Sequence, residues 1–314
     1  MTPIRVGIVG VGKIARDQHI PAIAANPDFE LVAAASRNTE LAGIANFRIL
    51  EDMLRGVPDL DAIAICTPPQ THYEGAKLAL TCGKHVLLEK PPCTSLAQLD
   101  HLRHLAREVR RTLYQTWHSR HAQGVAGAVR TLKERKLRRV TITWKEDVLE
   151  WHPGQTWIWQ AGGFGVFDPG INALSILTRL VAEPIYPQSA RLFVPSNREA
   201  PIAAELALVS ASGIPIAAAL DFRQSGPPSW DIELDTDRGP MHLSAGGSIL
   251  SVGAERVPSD AGVLASEYAS IYGEFSGLIA GGRSDVDARP LELVADIFLI
   301  ARQIPVAAFV EPRP

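Results

Sequence analysis

The run Arg5-Val6-Gly7-Ile8-Val9, followed at once by Gly10-Val11-Gly12-Lys13-Ile14-Ala15, constrains the fold of this chain more than any other stretch. A short apolar run bounded by glycine reads as a buried strand, and the pattern beyond the loop is helical to about Ala25. Glycine turns of this kind also serve as plain loops. Here strand, Gly-x-Gly-x-x-Ala turn and helix follow in the order a dinucleotide requires. Gly10 permits the tight turn, Gly12 lets the backbone approach a pyrophosphate, and Ala15 allows close helix–strand packing. Amides at the helix start would hold the phosphate charge, which makes Gly10, Gly12, Lys13 and Ile14 candidate cofactor contacts.

Strands continue to alternate with helices. Phe29–Ala35, Asp61–Cys66, His85–Leu88 and Thr112–Trp117 read as strands, with helices near Tyr73–Thr81 and Leu96–Arg107 among them. The alternation implies an α/β fold with a doubly wound parallel sheet of Rossmann type, whose ligands bind outside the carboxyl ends of the strands. Thr67-Pro68-Pro69, Glu89-Lys90-Pro91 and Trp117-His118 all fall at such ends. Thr67 and Pro68 are therefore further cofactor candidates. Lys90, at a strand tip beside a dinucleotide, is a catalytic candidate, although a lysine there is by itself ordinarily a solvated surface residue. Glu89 is expected to meet the nicotinamide ribose, and Pro91 to fix the turn, with a cis bond as the form to look for. The second strand ends in Ser36-Arg37, with no acidic residue to bind a ribose 2'-hydroxyl, whereas an arginine accommodates a 2'-phosphate. NADP is the expected preference, and NAD remains an acceptable partner.

At 314 residues the chain exceeds one ordinary domain, so a cofactor domain at 1–120 leaves 121–314 for a second. Strand candidates there are Val140–Trp144, Ala190–Val194, Ala203–Val209, Ile214–Leu220, Asp231–Asp235, Met241–Ser244 and Ser248–Val252. Helical patterns lie near Val125–Lys136, Asn172–Leu180, Ser266–Ile279 and Leu291–Arg302. Short strands with Gly and Pro turns predict an α+β domain with a largely antiparallel, open-faced sheet. The last three helices would cover one face, leaving the other for self-association as a homo-oligomer, a dimer being the expected form. A net charge of -3 gives no reason to invoke nucleic acid, and the short mixed run Lys133–Arg139 reads as a solvated helix end. Cys66, Cys82 and Cys93 lack metal-ligand spacing, and their odd count fits reduced thiols in the cytoplasm. The N-terminal apolar run is too short and too glycine-rich for a signal or membrane helix, so no membrane partner is expected.

Within the second domain, the segment from Gly162-Gly163 through Phe167-Asp168-Pro169-Gly170-Ile171-Asn172 stands out. Asp168 and Asn172 are four apart at a helix start, which places both side chains on one helical face. Asp before Pro is also a good helix cap, and capping alone would account for Asp168. Trp144, Trp151, Trp157 and Trp159 crowd around Glu146, Asp147 and His152. Most large aromatics pack in cores. Trp151, in the turn-like Trp-His-Pro-Gly, is the first candidate for stacking on a ligand, and Trp230, after Gly226-Pro227-Pro228, the second. His19, His72, His101, His104, His121 and His242 form no metal constellation, and no metal is predicted.

The Gly-x-Gly-x-x-Ala loop, Glu89-Lys90-Pro91 and the Asp168-x-x-x-Asn172 segment together resemble the Gfo/Idh/MocA family of oxidoreductases, over essentially the whole chain. Family members typically carry His where this chain has Asn172. That departure, with Trp117-His118-Ser119-Arg120, Trp144-Lys145-Glu146-Asp147 and Trp151-His152-Pro153-Gly154, resembles a bacterial subgroup of L-arabinose and D-galactose 1-dehydrogenases. The resemblance implies NAD(P)-dependent oxidation of an aldose at C1 to its lactone, with His118, Glu146 and His152 among the substrate contacts. For Glu146 or His118 a structural hydrogen bond is almost as good an account.

Such an oxidation needs hydride to leave C1 while a base takes the C1 hydroxyl proton. Asparagine is not a base, so the proton chemistry falls to Lys90 and Asp168. Lys90 would polarise the C1 oxygen, Asp168 would accept its proton directly or through Lys90, and Asn172 would hold a hydroxyl. Which of the two acts first stays open. L-arabinose and D-galactose share their ring configuration and differ by a hydroxymethyl group, so one pocket could hold both. The alternatives on this fold are an inositol or glucose dehydrogenase, or an NADP-binding regulator without turnover. Ser36→Asp is expected to shift the ratio of kcat/KM for NADP over NAD by about tenfold or more towards NAD, the equivalent of ~1.4 kcal/mol. An unchanged ratio in steady-state kinetics would refute the cofactor assignment.

Overall fold

The computed structural model describes residues 2–258 and 267–311. They group into two compact units, residues 2–118 with 267–288, and residues 119–258 with 289–311. The single cut expected at residue 120 is thereby corrected: the first unit takes back a late segment that interrupts the second.

The first unit holds strands β1 (Ile4–Val9), β2 (Phe29–Ala35), β3 (Ala45–Phe47), β4 (Ala62–Ile65), β5 (His85–Leu88) and β6 (Leu113–Gln115). Their order is β3-β2-β1-β4-β5-β6, and every pairing is parallel, with Val6 opposite Ala62 and Val86 opposite Leu113. Ala62 to Ile65 and Val86 to Leu88 are wholly buried, because a parallel sheet covered on both faces calls for continuous apolar runs rather than alternation. The order reverses between β1 and β4. Gly10 and Thr67 follow those two strands, so they flank the crevice where doubly wound sheets take ligands.

The helix Glu267–Ala280 was expected to cover the sheet of the second domain, and this too is corrected. Ser266 lies outside the described residues. Tyr268, Ile271, Tyr272, Phe275 and Leu278 recur at helical spacing, and they join Val6, Ile8, Phe29, Ala62, Ala64, Leu87 and Tyr114 in the first unit's core. Phe29 stacks on Phe275 at 5.9 Å between ring centroids and meets the edge of Tyr272 at 5.2 Å. Periodicity marks the apolar face of such a helix but not which sheet the face will serve.

The second unit is built on β7 (Leu137–Lys145), β8 (Ile185–Pro195), β9 (Ala203–Ser210), β10 (Pro215–Asp221), β11 (Ser229–Thr236), β12 (Met241–Ser244), β13 (Ile249–Val252), β14 (Glu255–Val257) and β15 (Arg302–Val306). The order is β14-β13-β12-β11-β7-β10-β9-β8-β15. Pairings are antiparallel except β7 with β10 and β8 with β15, so the sheet is mixed and mostly antiparallel. Val140, Ile142 and Trp144 are buried while Thr141 and Thr143 are only half-buried, the period-two signature of a strand with one covered face. The helix Phe167–Leu180 packs against β7 and against the helix Arg289–Ile300. Among the described residues no helix is long and apolar enough to cross a membrane. Phe275→Ala is expected to destabilise the protein by about 3–5 kcal/mol, read from denaturant unfolding, because it opens a cavity under the first sheet.

Candidate active site

In the first unit, Gly10 has φ +87°, and a side chain there would put Cβ 2.8 Å from Thr67 Cγ2 and 2.9 Å from its amide nitrogen. Only glycine fits this turn. A Cβ on Gly12 would meet nothing within 4 Å, so there is open space over the loop. The chain then enters a π-turn, Ala15–His19, with no side-chain cap at Ile14, and continues as the helix Ile20–Ala25. Uncapped amides at a helix start beside open space fit a pyrophosphate, so this loop suits a dinucleotide. Lys13 is exposed and pairs with Asp17, Ile14 packs partly buried on the core, and Arg37 is exposed beside the half-buried Ser36. Thr67 Oγ1 accepts a hydrogen bond from Thr71 Oγ1 at 2.8 Å, while Pro68 supplies a carbonyl to the same hydroxyl at 3.0 Å.

Lys90 lies at the tip of β5, and its bond to Pro91 is cis. The residue before it is committed inward. Glu89 is 3 % exposed, and its Oε1 lies 3.0 Å from His19 Nε2 and accepts from the Tyr268 hydroxyl at 2.7 Å, while Oε2 accepts from the Lys90 amide at 2.9 Å. His19 Nδ1 lies 2.9 Å from the Tyr272 hydroxyl. Burial would raise the Glu89 pKa, but the hydrogen bond and charge of His19, the charge of His118 and the Tyr268 hydroxyl outweigh it, bringing the group from 4.5 to about 2. Within the protein Glu89 anchors the backbone that carries Lys90. His118 Nδ1 lies 2.6 Å from Glu267 Oε2, and the ring stacks on Tyr268 at 5.8 Å. On the other side of Lys90, the buried His72 ring meets the Pro91 carbonyl at 2.9 Å through Nδ1 and the Thr67 carbonyl at 2.6 Å through Nε2. Burial lowers its pKa from 6.5, against the opposing influence of both carbonyls and of Glu89.

The second unit gathers most of the remaining candidates. Asp168 is not a cap, because the helix begins at Phe167 with Val166 as its N-cap and no side-chain capping bond. Gly165, at φ +54°, sets this start: a Cβ there would lie 2.3 Å from the Pro201 carbonyl, whose oxygen receives the Val166 amide at 2.8 Å. Asp168 is therefore buried in the first turn, with Asn172 one turn on. The Asn172 Oδ1 is buried without a hydrogen-bond partner among the described residues. Glu146, directly after β7, is 2 % exposed. Its Oε1 lies 2.8 Å from His152 Nε2, and its Oε2 accepts from the Trp230 indole at 2.7 Å. His152 Nδ1 lies 3.9 Å from Asp168 Oδ2. Trp151, partly exposed, meets Trp230 edge to face at 4.6 Å, whereas Trp144 and Trp159 are core residues.

Glu146, Trp151, His152, Asp168 and Trp230 are thus assembled by local geometry, with Asn172 on the same helix as Asp168. His118 and its partner Glu267 both belong to the first unit. His19, His72, Tyr268 and Phe222, whose ring lies 5.5 Å from His152, were missed. No spacing rule links residues 19, 89 and 268, although His72 could have been noticed as a histidine one turn past a Thr-Pro-Pro strand end.

A doubly wound sheet with this glycine loop defines a dinucleotide-binding oxidoreductase fold. A family model described as "Oxidoreductase family, NAD-binding Rossmann fold" (GFO_IDH_MocA) matches residues 4–116. Galactose 1-dehydrogenase of Pseudomonas fluorescens is 44 % identical over 98 % of this chain and 99 % of its own length. The crystal structure of a D-galactose-1-dehydrogenase protein from Rhizobium etli superposes with a TM-score of 0.93 at 47 % identity, covering 99 % of each chain. A 3-ketoreductase from Actinomadura kijaniata, in complex with NADP and TDP-benzene, shares the fold at 21 % identity and a TM-score of 0.84, over 97 % of this chain and 100 % of its own. The chain belongs to the Gfo/Idh/MocA family of oxidoreductases.

The shift of Glu89 has a consequence for acid stability. A carboxyl whose folded pKa lies below its unfolded value contributes stability that is complete above the unfolded pKa and is lost as the pH falls. For Glu89 the window runs from 4.5 down to about 2. The loss is on the order of 3 kcal/mol. Denaturant midpoints followed across this window should fall more steeply for the native protein than for Glu89→Gln, and parallel curves would refute the assignment.

Proposed function

We infer that this protein is an aldose 1-dehydrogenase that oxidises D-galactose and L-arabinose at C1 to the lactone, with NADP preferred and NAD accepted. The observation that carries the reading is the Glu146–His152–Asp168 cluster beside Trp151 and Trp230. A pyranose needs polar partners for its hydroxyls and an aromatic face for its C–H groups, and this cluster offers both. The 44 % identity with a galactose 1-dehydrogenase along nearly the whole chain supports the same choice. Three free cysteines, two of them buried, fit a cytoplasmic setting.

When bound, the nicotinamide supplies the acceptor for the C1 hydride. Lys90, held by its own backbone to Glu89, polarises and orients the C1 oxygen as an ammonium donor. Asp168 takes up the C1 hydroxyl proton. The buried Asn172 Oδ1 accepts a hydrogen bond from a sugar hydroxyl and so satisfies an atom that otherwise stands unpaired.

Purified protein with NADP or NAD and a panel of aldoses, followed by the absorbance of reduced cofactor, tests the reading. Turnover is expected with D-galactose and L-arabinose, and Lys90→Ala is expected to lower kcat by about 10²–10⁴-fold. Near-normal turnover by Lys90→Ala would sink the mechanism, turnover with inositol or glucose alone would move the substrate, and tight cofactor binding without turnover would make the protein a regulator.

A further inference from the structure

Three titratable groups of the second unit stand in line: Glu146, His152 and Asp168. Glu146 is almost fully buried, and each of its oxygens is already engaged, one by His152 Nε2 at 2.8 Å and the other by the Trp230 indole at 2.7 Å. An indole N–H only donates, so the Trp230 bond holds Glu146 as an acceptor and fixes its orientation. Its remaining partner is the imidazole. A carboxylate facing Nε2 places the ring proton on Nε2 and leaves Nδ1 with a bare lone pair. Nδ1 stands 3.9 Å from Asp168 Oδ2, a separation that suits two acceptors with no proton between them. Among the described residues, the charged groups that face the ring are Glu146, from the end of β7, and Asp168, from the helix Phe167–Leu180. Phe222 forms an apolar wall at 5.5 Å.

Asp168 is 3 % exposed, and the His152 imidazole stands beside it with Nδ1 3.9 Å from Oδ2. His152 has more contact with solvent, its side chain being 14 % exposed. We propose that His152, held in register by Glu146, relieves Asp168 of the proton taken from the substrate hydroxyl in each turnover. This rests on the aldose reading above. With a nicotinamide bound, the C1–H electron pair would leave to it as hydride, and the O–H electron pair would become the second bond of the lactone carbonyl. The proton passes from that oxygen to Asp168. The protonated Asp168 first closes the 3.9 Å gap to donate a hydrogen bond to Nδ1; its O–H bond then breaks as an Nδ1–H bond forms, which leaves an imidazolium between two carboxylates. Its release to solvent restores an ionised Asp168 and a neutral His152. His152 thus acts through Asp168 as a positioning and proton-relay residue.

The test compares His152→Ala and His152→Gln with the native protein on D-galactose and NADP. Both variants are expected to lose about 10²–10³-fold in kcat, the loss typical of a removed acid–base group, with a smaller change in KM for the sugar. Added imidazole should restore His152→Ala in a concentration-dependent way. His152→Gln, whose longer amide can take the place of Nε2 against Glu146, guards against a mere failure to fold. In the resting native protein, ¹⁵N NMR should find the His152 proton on Nε2. A raised KM at unchanged kcat would make His152 a plain sugar contact and overturn the relay, as would normal turnover, absence of imidazole rescue, or a resting proton on Nδ1. A native protein that oxidises no sugar would instead overturn the functional reading beneath it.

Discussion

Burying an ionised carboxylate costs several kcal/mol unless its oxygens find partners in place. Glu89 carries such a charge at 3 % exposure, and the first unit is arranged around satisfying it. One partner, His19, closes the π-turn that follows the glycine loop, and another, Tyr268, comes from the helix Glu267–Ala280. The third is the amide of Lys90 itself. The glycine loop, the tip of β5 and a helix from late in the chain therefore have one relative placement that leaves no charge stranded. Lys90 inherits its position from that requirement, and His72 adds a second tie through the Pro91 carbonyl.

The second unit repeats the device with different residues. Glu146 is another buried glutamate with both oxygens engaged, and it sets the orientation of His152 and Trp230 as Glu89 sets that of Lys90. In both units a buried carboxylate fixes the groups beside it through hydrogen bonds to both of its oxygens. Such an arrangement confines rotamers that would otherwise have to be frozen on binding, which is how a site becomes pre-organised.

Much of this was legible beforehand where the signal is local. Parallel strands buried on both faces must be continuous apolar runs, so β1, β2, β4 and β5 declare themselves, and the turn after β1 carries its glycines in a fixed pattern. The placement of Asp168 and Asn172 on one helical face follows from their spacing. The start of that helix did not follow, because Gly165 lies against the Pro201 carbonyl, a contact that no neighbouring residue encodes. The helix Glu267–Ala280 was legible as a helix and misassigned as a partner, since its apolar stripe would suit either sheet. His19 and Tyr272 are 253 positions apart, and only the folded chain reveals that they meet. The three-residue β3 and β14 are too short for periodicity to register.

The return of the chain to the first unit has a consequence for the order in which the protein is made. A ribosome that has completed β6 has synthesised none of Tyr268, Tyr272 or Phe275, so Phe29 and Tyr114 have no aromatic partners from that helix and Glu89 lacks one of its donors. Strands β7 to β14 all emerge before that helix does. Domains generally fold in the order they leave the ribosome, but here the unit that is begun first is completed almost last. The nascent first sheet stands without Tyr268, Ile271, Tyr272 and Phe275 while its successor is spelled out, so the core begun by the first strands is finished by a helix made much later.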